Sequence, residues 1–200
     1  MIATIAKTIG SMLVAPIRRR RLPADVPPAG REHYEPTLLA ASLSAATVKA
    51  ADIPVAKTPH GGWIAGDWPA PVLADCDEPL AAGAPDLRGV WRVERGPLEV
   101  HGERVEQAGN RVVITAGGVI HDMFVDGTLE GGVNDISEAG TQVSVAARFE
   151  NGRHNLYPGD KRVVAVTRYL DGDEMVWRWG PWRNRLRRLD APVDSPSTGE

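Results

Sequence analysis

The chain has 200 residues, 42% apolar and 24% charged, with a net charge of −3 and a single cysteine, Cys76. No run of 18 apolar residues occurs, which excludes an ordinary transmembrane helix. One cysteine excludes an intrachain disulfide and multi-cysteine metal sites, and the net charge argues against a nucleic-acid partner. Eleven of the 16 prolines precede residue 87, so the chain divides there. Arginines outnumber lysines 19 to 4, a bias that points to a GC-rich bacterial genome.

Residues 1–22 carry Lys7 and Arg18, Arg19, Arg20 and Arg21 and no acid, about +5 in all. Ile2, Ile5, Ile9, Met12 and Leu13 repeat at helical spacing. The basic cluster follows the apolar stretch, the reverse of a secretory signal. The expectation is an amphipathic basic helix on an anionic membrane or on a partner protein, with a frayed terminus as the remaining alternative. The protein is then cytoplasmic and peripheral at the inner membrane.

Residues 23–86 read as a proline-rich arm. Glu35-Pro36 opens one helix-like run, TLLAASLSAATVKAAD. Loop chemistry returns from Ile53, with Trp63 and Trp68 embedded in it. Large aromatics in such a segment pack against something, so the arm is expected to wrap the second half or a partner.

From residue 87 the pattern turns to period two. Val143, Val145, Ala147 and Phe149 alternate with polar neighbours, as in a strand with one wet face. Asn151-Gly152, Asp126-Gly127 and Asp171-Gly172 are hairpin signals. The expected strands cover 87–95, 98–106, 110–116, 119–125, 128–136, 141–150, 153–157, 162–170, 174–180 and 183–189. The fold class is mainly β: an up-and-down antiparallel barrel of 8–10 strands over 87–190, with a β-sandwich as alternative. Closure removes the exposed edges. Residues 191–200 are expected to form a disordered tail.

Two-residue loops set registers. They pair Phe149 with His154 and Ala147 with Leu156. They pair Arg168 with Met175, Val166 with Trp177, and Val164 with Trp179. They also set His121 opposite Gly132 and Asp122 opposite Gly131, with the glycines leaving space over those side chains.

Leu87-Arg88-Gly89-Val90-Trp91 opens the first strand. A Gly-x-Trp there resembles the lipocalins and their calycin relatives, including the fatty-acid-binding proteins. The resemblance implies a tryptophan at the barrel floor beside an arginine from a late strand, here Arg168, Arg185 or Arg187. It also implies small hydrophobic ligands. The glycines and histidine of the heme-binding relatives are not continued at Val93 and Glu94.

Arg168 is expected inside the barrel. It is either a fork for a ligand carboxylate or phosphate, or a structural arginine against Trp91 or Asp135. Trp91, Met123, His121, Phe149, Trp177 and Trp179 are the expected walls. His121, His154 and Asp135 are candidates for proton transfer, although His121 and Asp122 must face opposite sides. His33, His60 and His101 show no metal spacing, and acidic neighbours raise the Cys76 thiol. No cofactor motif is present. The leading expectation is a barrel binding a small hydrophobic, acidic ligand. Alternatives are an accessory subunit of a larger assembly, and an isomerase or hydratase using His121 or His154.

Overall fold

The computed structural model describes residues 48–59, 68–98, 101–137, 142–159 and 162–189. The expected helix at residues 1–22, most of the helix-like run after Glu35 and the tail 191–200 lie outside them. Ten strands follow in order: β1 (Gly89–Arg95), β2 (Gly102–Ala108), β3 (Arg111–Ala116), β4 (Val119–Phe124), β5 (Val133–Ile136), β6 (Gln142–Glu150), β7 (Arg153–Pro158), β8 (Val166–Asp171), β9 (Glu174–Trp179) and β10 (Trp182–Arg188).

Every neighbouring pair is antiparallel, in the order β4-β3-β2-β1-β10-β9-β8-β7-β6-β5. The β1–β10 ladder, with Val93 opposite Leu186, turns the meander into a barrel. One seam remains between β4 and β5, where the chain makes single bonds such as Phe124 N–H to Gly131 O (2.6 Å) instead of a ladder. The fold is therefore a nearly closed up-and-down barrel, and the sandwich alternative is set aside. Its interior is apolar: Leu87, Trp91, Val105, Val112, Met123, Val133, Ala147, Met175 and Leu186 are all essentially buried in one cluster.

The Asn151-Gly152 turn has φ of 52° and 67°, the left-handed pair a type I′ hairpin requires. It sets Phe149 opposite His154 and Ala147 opposite Leu156, as expected. The next hairpin differs. Asp171 pairs with Glu174, so Gly172-Asp173 is the loop and Arg168 lies opposite Trp177, Val166 opposite Trp179. The slip is two residues, so every side chain keeps its expected face.

The Asp126-Gly127 expectation fails. The Asp126 carboxylate accepts from Thr128 N and Oγ1, both at 2.8 Å, and this local turn consumes the residues expected to start β5. His121 and Asp122 therefore have no ladder partners at Gly132 and Gly131. Gly132 serves another purpose: a Cβ there would collide with the Val145 carbonyl, so glycine permits the close approach of β5 to β6.

The described arm packs on its own barrel. Ala50, Trp68 and Leu73 join Ala108, Val113 and Ile120 in a second buried cluster outside β2–β4. Arg111 organises it. Its guanidinium holds both Asp122 oxygens (2.8 and 2.6 Å) and donates to the carbonyls of Ala50, Ile53 and Pro54. Ala56 N–H completes Asp122 at 2.7 Å. Thr58 then crosses the seam: its hydroxyl accepts from Ile120 N on β4, and its N–H donates to Asp135 on β5. Lys57 reaches the Asn134 carbonyl beside it.

Candidate functional site

Period-two alternation on β7, β8 and β9 sends His154, Arg168 and Trp177 to the inner face, side by side across two ladders. β2 sends Glu103 inward from the opposite wall, with β1, β10 and β9 between it and β8. Glu103 and Arg168 meet in a two-pronged ion pair, Nε and Nη2 each 2.9 Å from a carboxylate oxygen. Both side chains are buried. The guanidinium also lies 5.1 Å from the Trp177 ring, and His101 packs on that ring at 4.8 Å.

The electrostatics follow from this burial. Removal from water raises the Glu103 carboxyl, but the Arg168 charge, the His101 imidazole 3.7 Å away and the Arg168 hydrogen bonds outweigh it and hold it at about 2. His154 is fully enclosed. Burial first, then the Arg168 charge, push its imidazole down to about 3, against the weaker pull of Glu103. It is neutral at any physiological pH. Among the described residues, its two ring nitrogens and the Trp177 Nε1 have no hydrogen-bond partner. Buried polar atoms are satisfied in the large majority of cases, so three open ones on the two side chains that flank Arg168 are unusual.

Five of the six expected wall residues reach the interior: Trp91, Met123 and Trp177 belong to the inner cluster, and Phe149 and Trp179 pack against it, while His121 does not join it. Trp179 stacks on Trp177 with 6° between planes. Arg168 is not paired with Asp135 or stacked on Trp91; its partners are Glu103 and Trp177. Trp91 does have an arginine of the last strand against it, but it is Arg188, 4.7 Å over the ring, rather than Arg168, Arg185 or Arg187. The Trp91 N–H donates to Leu87 O.

The proton-transfer constellation is not assembled. His121 sits half-buried at the seam with Nε2 3.1 Å from the Ile136 carbonyl. Asp122 lies on the outer face with Arg111. Asp135 holds Thr58. Among the described residues no cluster of His, Cys, Asp or Glu could hold a metal ion. Cys76 is raised, by burial first and by Glu78 next.

Glu103 and His101 are the site residues that sequence reasoning missed. In Gly102–Ala108 the polar and apolar residues do not alternate, because both faces of β2 are covered. An inward acid is then indistinguishable from an outward one.

With this geometry in view, similarity adds little. No protein-family model matches the chain, and neither does any curated protein. Fourteen solved chains match it in structure. One is human cRBP IV, 13% identical, covering 52% of this chain and 98% of that one, with a TM-score of 0.39.

Proposed function

We propose that the barrel binds a small, largely apolar molecule in its interior. The observation that carries this reading is the set of open polar atoms on His154 and Trp177 within an apolar enclosure. Leaving such groups unmet costs roughly 1–3 kcal/mol each, so a ligand that supplies partners gains by entering. Aromatic and aliphatic walls with a few placed polar groups are the usual make-up of a small-molecule site. The catalytic alternative is less favoured: an imidazole held at about 3 is a poor base near neutrality. The subunit alternative loses its main support, since the described arm spends its contacts on its own barrel.

Native mass spectrometry of the purified full chain tests the proposal, followed by titration with the neutral apolar dye Nile red. A retained organic adduct, or saturable one-to-one dye binding lost in Trp177→Ala, is expected. A protein recovered bare that takes no dye overturns it.

Membrane delivery through residues 1–22 is a separate part of the proposal and rests on their sequence alone. Co-sedimentation with anionic vesicles, abolished when Arg18 to Arg21 become glutamine, is expected. Equal sedimentation with neutral vesicles overturns that part.

A further inference from the structure

Arg168 invites a carboxylate ligand, but its charge is already matched. Nε and Nη2, one of the two edges that can grip a carboxylate two-pronged, are both committed to Glu103 at 2.9 Å, and that carboxylate neutralises the guanidinium. One face of the guanidinium lies over Trp177. A carboxylate entering the barrel meets no free cation there. It meets the charge of Glu103, fully enclosed, in a medium where like charges repel far more strongly than in water. It also gives up its own hydration, which is costly for an ion without a partner.

The open groups have the opposite character. Trp177 Nε1 is a donor, and a neutral imidazole offers one donor and one acceptor. They flank Arg168 on either side, His154 on β7 and Trp177 on β9. An uncharged hydroxyl or primary amide can both accept and donate there, and a carboxylate can use only the donors.

We infer that Glu103 makes the barrel select ligands ending in a neutral hydrogen-bonding group and reject those ending in a carboxylate. This rests on the ligand-binding reading above. Glu103 is thus a specificity residue that acts by occupying Arg168.

The test is displacement of Nile red from the full chain at neutral pH by decanol, decanamide and decanoate. Decanol and decanamide are expected to displace the dye at roughly tenfold lower concentration than decanoate, or lower still. In Glu103→Gln the gap is expected to narrow by a similar factor, because the guanidinium charge is no longer matched. Wild-type protein that takes decanoate as well as decanol overturns the inference while leaving ligand binding intact. So does a folded Glu103→Gln protein with an unchanged ratio. Failure of every compound, dye included, overturns the ligand-binding reading itself. The wild-type ratio decides the matter even if Glu103→Gln does not fold.

Discussion

The two flanks of the barrel are clad in different ways. On β2–β4 the outer face is covered by the arm: Arg104, Glu106, Arg111 and Asp122 are buried there, and several spend their charge on arm backbone. On β6–β10 no described segment lies over the strands, and long side chains cover the sheet themselves. Arg148 lies over Tyr157 and Arg153 over Tyr169, while Arg185 bridges Asp171 and Glu174. Tyr157 and Asn155 both donate to Glu150. The same strand geometry thus supports a dry outer face and a wet one. The difference lies in whether the polar groups on that face find backbone or water.

The sharpest break of this contrast is Arg111→Ala. It strands Asp122 and three arm carbonyls in a buried place, so a loss of about 3–5 kcal/mol in urea unfolding is expected. A loss below about 1 kcal/mol would mean that the arm is held by something other than this clamp. Next comes a matched pair of outer-face truncations. Ile120→Ala under the arm is expected to cost about 2–5 kcal/mol, and Ser144→Ala on β6 within about 0.5 kcal/mol. Equal effects would erase the distinction between the flanks.

Acid probes the interior both flanks share. The unfolded His154 imidazole takes a proton below its ordinary value of 6.5, while the folded one resists down to about 3. Its contribution is therefore full above about 6.5 and drains as pH falls toward 3, by up to about 1.4 kcal/mol per pH unit. Glu103, lowered from 4.5 to about 2, adds a second loss between those values. His154→Gln is expected to flatten urea midpoints between pH 6.5 and 4.5, where only the first loss acts. An unchanged slope would contradict the enclosure of that ring.

Thr58→Ala removes the stitch across the seam. About 1 kcal/mol of stability is expected to go, with faster hydrogen exchange at the Ile120 amide that Thr58 caps. Unchanged exchange there would show that the seam stays shut without the arm. The smallest effect is Arg148→Ala on the wet flank, within about 0.5 kcal/mol, since that side chain is half exposed and its ion pair spans 4.0 Å. A clearly larger loss would mean that the arginine–tyrosine layer is structural cladding in its own right.

The legible parts of the fold were those specified locally. Alternation along Thr141–Glu150 and the Asn151-Gly152 turn gave strand, face and register together. Parity protected the β8–β9 assignment even though the loop moved to Gly172-Asp173. The β4–β5 pairing was misread because Asp126 can fold onto Thr128, a local hydrogen-bond choice that competes with the ladder. Within the site, Arg168, Trp177 and His154 were visible from alternation. Glu103 was not, because its partner is 65 residues away across the barrel and nothing local marks it. That the arm packs against something was legible from its tryptophans, and Trp68 does pack on the barrel, but the place of docking was silent. The arm's acceptors on Ala50, Ile53 and Pro54 are carbonyls, which every residue carries.

The clamp that fastens the arm also sets an order of events in time. Ala56 must wait for Asp122, 66 residues later in the chain. At the usual pace of synthesis that delay is roughly 3–13 s. The arm leaves the ribosome ahead of the barrel yet has no surface to rest on until β3 and β4 have paired. It therefore docks only after strands that are made later than it is, and the two flanks acquire their different coverings at different moments in the life of the nascent chain.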